Sequence, residues 1–213
     1  MAASAAFNYG CGLVSVVSRE KTEVPYEIMQ TGKIENFDAL ALGMGLNNHF
    51  DDVLDEIAKL DIPMVIDADM FYKDEIKLFL DKKAVFTPHP KEFASLLEIL
   101  NFGKFETKDI QKNRFELVEK FSEKYPNIVL LLKGANKIIA YNKKLFIDPN
   151  GSVALAKGGS GDILSGLIGS LLAQGWHPLK AAIHGSLAHS LAGNYEPNFA
   201  LTPMKIIQNL EKI

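Results

Sequence analysis

Leu155-Ala156-Lys157-Gly158-Gly159-Ser160-Gly161-Asp162 runs directly into Ile163 to Ala173, a segment with no charged residue. Three glycines in four positions free the backbone from Cβ clashes, so successive N–H groups can point into one small volume. A helix beginning at about Asp162 adds its unpaired N–H groups and the positive end of its dipole to the same spot. Such a spot is an anion hole, and phosphate is its usual occupant. A carboxylate beside a phosphate is repelled unless a metal or an acidic proton lies between them. Asp162 therefore suits the removal of a proton from a hydroxyl that attacks phosphorus. The plainer reading is a glycine turn with Asp162 in a capping position of the first helical turn.

The helix that follows decides the fold class. Ile163, Leu164, Leu167, Ile168, Leu171 and Leu172 cover one half of its surface, and Ser165, Gly166, Gly169, Ser170 and Ala173 the other. Apolar on one side and small on the other, it is expected to be buried on both. It is too short to span a bilayer, which needs about 18 or more apolar residues.

Working outward, Ala2–Tyr9 reads as a short helix and Leu13–Val17 as a strand, with 21–35 left as loop. Phe37–Leu42 is a strand ending at Gly43-Met44-Gly45-Leu46-Asn47. Phe50–Leu60 has helical spacing, and Pro63–Ile66 is a continuous apolar run ending in Asp67-Ala68-Asp69. Ile76–Leu80 is a short helix and Ala84–Phe86 a strand. Thr87-Pro88-His89-Pro90-Lys91-Glu92 opens a helix carrying Phe93, Leu96, Leu97 and Leu100, with Pro90 suited to its first position. After a loop at 101–108, Asp109–Lys124 is a charged, exposed helix. Ile128–Leu132 is a buried strand closing on Lys133-Gly134-Ala135-Asn136-Lys137. Ile138–Tyr141 and Leu145–Ile147 form a hairpin, and helices follow over 178–192 and 203–210. Apolar runs alternating with helices indicate strands buried on both faces. The fold class is α/β: a doubly wound, mostly parallel sheet with helices on both faces, its ligand crevice at the carboxyl ends of the strands.

The 213 residues fit one domain, 1–213, and the net charge of -3 at pH 7 predicts no affinity for nucleic acid. No membrane span is present. Cys11 is the single cysteine, so no intrachain disulfide exists; a reducing cytoplasmic setting follows, with Cys11 a small buried residue.

Lys157-Gly-Gly-Ser-Gly-Asp162 followed by Ile-Leu-Ser-Gly resembles the phosphate-hole motif of the ribokinase-like superfamily. Thr87-Pro-His-Pro-Lys-Glu92, Val65-Ile-Asp-Ala-Asp69 and Lys133-Gly-Ala135 resemble one branch of it, the ADP- or ATP-dependent NAD(P)H-hydrate dehydratases. The resemblance runs from about Ala2 to Gly193. It implies a lyase that phosphorylates the C6 hydroxyl of hydrated NADH or NADPH with ADP or ATP and then eliminates phosphate, helped by Mg²⁺. It implies Asp162 as the base and as a substrate contact. Gly158, Gly159, Ser160 and Gly161 hold the phosphoryl group, and Lys133, Gly134, Ala135, Asn136 and Lys137 line the nucleotide. Gly43, Gly45 and His89 contact the hydrated dinucleotide. A homotetramer is the implied assembly.

From the residues alone His89 reads as a helix cap. Asp67 and Asp69, projecting to one side of a strand end, read equally as metal ligands or turn formers. Lys133 and Lys137 read as ligand contacts or solvated charges. His177, His184 and His189 are expected to be structural; His49 has no assigned role. Met44 and Asn47 depart from the family's glycine turn. The family's first strand and Gly-Ala loop are also not found ahead of Ala2. A fragment completed by another chain is thus one expectation. A small-molecule kinase of the same superfamily, acting on a sugar or vitamin alcohol, and a truncated, non-catalytic nucleotide-binding domain are the alternative functions.

Overall fold

The computed structural model describes residues 1–18, 22–46, 51–197 and 199–213. A parallel pair, β1 (Ser15–Val17) and β2 (Met29–Thr31), precedes a six-stranded sheet. That sheet comprises β3 (Leu40–Leu42), β4 (Met64–Ile66), β5 (Ala84–Phe86), β6 (Val129–Leu132), β7 (Lys137–Tyr141) and β8 (Lys144–Asp148). The strands lie side by side in the order in which the chain visits them. β3 to β6 are parallel, β6 pairs antiparallel with β7, and β7 with β8.

Sequential order and the right-handedness of parallel crossovers together place every connection between β3 and β6 on one face. These connections hold α2 (Leu54–Lys59), α3 (Pro90–Ile99), α4 (Thr107–Lys112) and α5 (Arg114–Lys124). The opposite face has to be covered from the chain's two ends. It receives α6 (Ser160–Ala173) and α7 (Pro178–Gly193), with α1 (Ala2–Asn8) and α8 (Pro203–Asn209) packed around them. Strand periodicity divides the core accordingly. Met64, Ile66, Phe86, Leu130 and Leu132 enter the cluster under α2–α5, while Val65, Val85, Val129 and Leu131 meet Leu164, Ile168 and Leu171 of α6. Every residue of β4, β5 and β6 is buried, as continuous apolar runs require.

α6 is buried on both sides, as its composition predicts. Ile163 and Leu167 pack with Ala5 of α1 and Ala188 of α7. On its small side, a Cβ added at Gly166 would stand 2.2 Å from the Ala2 carbonyl oxygen. Only a residue without a side chain lets α1 come so close.

Several expectations are corrected. The stretch expected as loop contains β2, a strand too short and polar to show periodicity. Asn113 breaks the expected 109–124 helix in two, and the first part starts earlier, at Thr107. α5 is not simply exposed, for Leu117, Val118 and Phe121 are buried on one face. The helix expected at 50–60 begins as a 3-10 turn at Asp51–Val53, Phe50 lying outside the described residues, and 74–79 is likewise a 3-10 turn. The hairpin stands, with Asn142 and Lys143 at φ 46° and 64°, the backbone of a two-residue turn that matches strand twist. Cys11 is only half-buried.

The turn after β3 is set by a close approach. Gly43 has φ 116°, and a Cβ there would lie 1.9 Å from the Asp67 carbonyl oxygen. Gly43→Ala is therefore expected to cost about 2–3 kcal/mol, from backbone strain and a collision with main chain that cannot swing aside. Urea denaturation checks this; a loss below about 0.5 kcal/mol, as at a tolerant surface site, would contradict it.

Candidate active site

Polar side chains converge where β4, β5 and β6 end, beside the N-terminus of α6. Asp67 follows β4 and is 1% exposed. Its Oδ1 accepts from Lys133 Nζ at 2.7 Å and its Oδ2 from Ser165 Oγ at 2.7 Å. Lys133 follows β6, held by its N–H donating to the Pro88 carbonyl at 2.9 Å. Its ammonium also lies 3.6 Å from Glu92 Oε2. One cation thus serves two buried carboxylates. Burial pushes the Glu92 carboxyl up to about 6, against the opposing pull of Lys133.

His89 after β5 is the N-cap of α3. Its Nδ1 accepts from the N–H groups of Lys91 and Glu92, both at 3.1 Å, and Glu92 Oε2 accepts from the His89 N–H at 2.7 Å. This reciprocal box satisfies the helix end. With Nδ1 accepting, Nε2 carries the proton and points to Glu92 Oε1, 3.2 Å away. Burial, then Lys133, lowers the affinity of the ring for a second proton.

The glycine loop turns into α6 at Gly159, the N-cap, with φ 86° and no side chain to cap the helix. Ser160 N–H donates to the Lys157 carbonyl and Ile163 N–H to that of Gly159, both at 3.2 Å. The N–H groups of Gly161 and Asp162 between them make no backbone hydrogen bond among the described residues, as the first turn of a helix allows. A Cβ at Gly161 would lie 3.3 Å from Lys133 Nζ and 3.9 Å from Asp67 Oδ2, so the open amides and the ammonium border the same space. Asp162 is half-buried in that first turn. Among the described residues nothing donates a hydrogen bond to its carboxylate. Burial, then the nearby Asp67 charge, raises its proton affinity.

The sequence pattern of the NAD(P)H-hydrate dehydratase family (Carb_kinase) matches residues 1–212. The chain belongs to this family. It is 44% identical over its whole length to the bifunctional NAD(P)H-hydrate repair enzyme Nnr of Helicobacter pylori, covering 46% of that protein. To the ADP-dependent (S)-NAD(P)H-hydrate dehydratase of Nitrosopumilus maritimus it is 30% identical over 73% of this chain and 53% of the relative. The chain thus spans about half the length of these curated relatives. The ADP/ATP-dependent NAD(P)H-hydrate dehydratase of Bacillus subtilis, co-crystallised with ATP/Mg²⁺ and soaked with CoA, superimposes with a TM-score of 0.81. That pair is 22% identical, with 99% of this chain and 83% of that one covered. The likeness establishes the ribokinase-like fold.

In this dehydratase-family chain the expected residues do not all gather. Asp162, Ser160, Gly158, Gly159, Gly161 and Lys133 do, and Gly43 abuts Asp67. Gly134, Ala135 and Asn136 form an exposed loop beside them, braced by Arg114 Nη2 donating to the Asn136 carbonyl at 2.7 Å. Lys137 does not join them: it is 4% exposed, its ammonium bonded to Asp148 Oδ2 at 3.2 Å and to Ser190 Oγ. As the first residue of β7 it points into the core rather than along the loop. Asp67 and Asp69 do not alternate along a strand. β4 ends at Ile66, Ala68 takes φ 50°, and 68–72 is a 3-10 turn. His177 caps α7 and His184 is exposed beside Trp176. His49 lies outside the described residues. Glu92, Ser165 and His189 belong to the site's surroundings although the sequence pattern does not place them there. A serine on a buried helix face requires a partner, and that is the signal Ser165 carries.

The buried charges set the response to acid. Burial, then Lys137, lowers His189 to about 3 from an ordinary 6.5. Between those values the unfolded chain takes a proton that the folded one refuses, so stability falls as pH falls, by about 1.4 kcal/mol per unit. Glu92, raised to about 6 from 4.5, takes its proton first in the fold and adds stability as pH falls from 6 to 4.5. The two oppose each other there, and His89, whose ring also resists a second proton, adds to the loss. Below 3.8 Asp148 joins the loss; hydrogen bonds from Ser186 and Ser190 and the Lys137 charge outweigh its burial and hold it at about 2. As pH falls from 6 to 4.5, the unfolding free energy of His189→Gln is expected to gain about 2 kcal/mol relative to wild type; urea denaturation at the two pH values checks this, and a variant that follows the wild-type curve would contradict it.

Proposed function

We propose that this chain carries the nucleotide-dependent dehydration of hydrated NADH and NADPH, with ADP or ATP as co-substrate. The observation that carries the reading is Asp162: a carboxylate without a hydrogen-bond donor among the described residues, of raised proton affinity, beside two open helix amides and the Lys133 ammonium. A carboxylate meant to cap or cross-link would have a partner.

Asp162 takes the proton from the C6 hydroxyl as its oxygen attacks the terminal phosphorus of the nucleotide. The Gly161 and Asp162 amides, the Gly158–Gly159 turn and the Lys133 ammonium receive the charge on the transferring phosphoryl oxygens. Asp67 and Ser165 hold Lys133 in register from below. Loss of phosphate from C6 with a proton from C5 then restores the ring double bond. The Lys133–Asn136 loop, braced by Arg114, lines the nucleotide. Gly43, Gly45 and the outer edge of His89 face the dinucleotide, His89 keeping its cap.

The residues present fit a magnesium ion that arrives with the nucleotide. Among the described residues no group of three or more His, Cys, Asp or Glu could hold a metal, and both oxygens of Asp67 are engaged. Mg²⁺ commonly takes one or two carboxylates together with substrate phosphates. The phosphate oxygens would hold it at this edge, and it would neutralise charge on the phosphoryl group. The test is the protein with hydrated NADH and either ADP or ATP. Return of reduced-nicotinamide absorbance only when nucleotide is present is expected; no return with either nucleotide would overturn the reading.

A further inference from the structure

We propose that His189, in the interior of α7, is the positioning residue of the glycine loop: it grips Ser160, from which the open amides of α6 continue. His189 is 4% exposed, and its Nε2 lies 3.0 Å from both the carbonyl oxygen and the Oγ of Ser160. A carbonyl can only accept, so Nε2 carries the hydrogen and Nδ1 is left as an acceptor. Nδ1 is buried and has no hydrogen-bond partner among the described residues. An aliphatic side chain would fill the same place without stranding a polar atom. The ring is therefore there for what its other nitrogen does, and among the described residues that nitrogen holds Ser160 alone.

The grip has a rigid base. Ser186 and Ser190, on neighbouring turns of α7, donate to Asp148 Oδ2 at 2.7 and 2.8 Å, and Lys137 Nζ donates to the same oxygen. Asp148 Oδ1 accepts from Asn150. The β7–β8 hairpin thus anchors the face of α7 that carries His189. Burial, and then the Lys137 charge nearby, keep the ring neutral. Lys137 acts on the loop from behind, through this chain of contacts. Ser160 starts α6 and is followed by Gly161 and Asp162, so any slack at Ser160 moves the amides and the carboxylate together. Displacements of about 1 Å at such groups cost on the order of a hundredfold in rate.

The test has two arms. Nitrogen-15 NMR of the full wild-type chain, which needs no ligand, should find His189 neutral and protonated on Nε2 at neutral pH; the Nδ1–H tautomer or an imidazolium would overturn the proposal. In the second arm His189→Leu is expected to raise the Kd for ADP and ATP about tenfold or more. The KM for the hydrated dinucleotide, whose other proposed contacts at Gly43, Gly45 and His89 are untouched, should move less than about threefold, and His189→Gln, whose amide nitrogen reaches the Nε2 position, should bind nucleotide within about threefold of wild type. Pure loss of packing would lower the folded fraction without this split. Wild-type nucleotide affinity in His189→Leu, or a Gln variant no better than Leu, would overturn the proposal. The nucleotide arm rests on the function proposed above; if wild type binds neither nucleotide, that function fails. Amide exchange at Ser160 and Ile163, the two hydrogen-bonded N–H groups of this turn, expected about tenfold faster in His189→Leu and restored in His189→Gln, then decides His189 independently. Unchanged exchange would overturn it. Should the Leu variant not fold, the ring tautomer and the Gln variant's exchange decide.

Discussion

Replacing Asp162 with asparagine is expected to lower kcat by about 10²–10⁴-fold, the usual worth of a positioned general base. The nucleotide Kd should stay within about threefold, because the open amides and Lys133 are untouched. The same variant should be at least as stable as wild type. Burial and the Asp67 charge both disfavour the ionised Asp162 carboxylate, and asparagine removes that charge without changing shape. A residue that merely capped α6 would show the reverse, a loss of about 1 kcal/mol with turnover intact. Activity lost and stability kept is the signature of a group held against its own preference for use in chemistry. Turnover retained in Asp162→Asn would exclude it as the base.

The second large effect is expected at Lys133. Its side chain is 17% exposed, that of Asp67 2% and that of Glu92 8%. Exposed ion pairs of this kind contribute about 0–1 kcal/mol. This one is enclosed, so Lys133→Met leaves two carboxylates without their cation and is expected to cost about 3–5 kcal/mol. Adding Asp67→Asn to that variant should recover a good part of the loss, because an amide oxygen still accepts from Ser165 without carrying charge. Chemical denaturation of the single and double variants separates the cases. A double variant no more stable than the single one would mean that Lys133 stabilises by something other than pairing with Asp67.

The parts of the site written in local sequence are legible in the chain itself. The glycine loop, Asp162, the buried helix behind it and the Lys133 strand end each announce themselves within a few residues, by backbone freedom or by an apolar run. Contacts made across the fold leave no such trace. Asp67 meets Lys133 from 66 residues away and Ser165 from 98, and neither spacing has meaning until the sheet is assembled. Lys137 shows the converse. Along the chain it continues the Lys133 loop, yet strand alternation turns it inward to Asp148. Asp67 and Asp69 resemble strand neighbours because nothing local marks the left-handed residue between them. His89 satisfies its plainer reading as a helix cap, with Glu92 locking the ring from the other side. β2 escapes a pattern search because three residues, two exposed and one half-buried, carry no periodicity.

In the proposed reaction a hydroxyl is phosphorylated here and the ester then falls apart. Phosphorus-31 NMR of the protein turning over hydrated NADH with the nucleotide it accepts tests this most directly. Inorganic phosphate is expected to appear in step with recovered NADH, one for one, with no lasting phosphate ester. A stable ester that builds up, as a small-molecule kinase would leave, or nucleotide that stays whole while NADH returns, would contradict it.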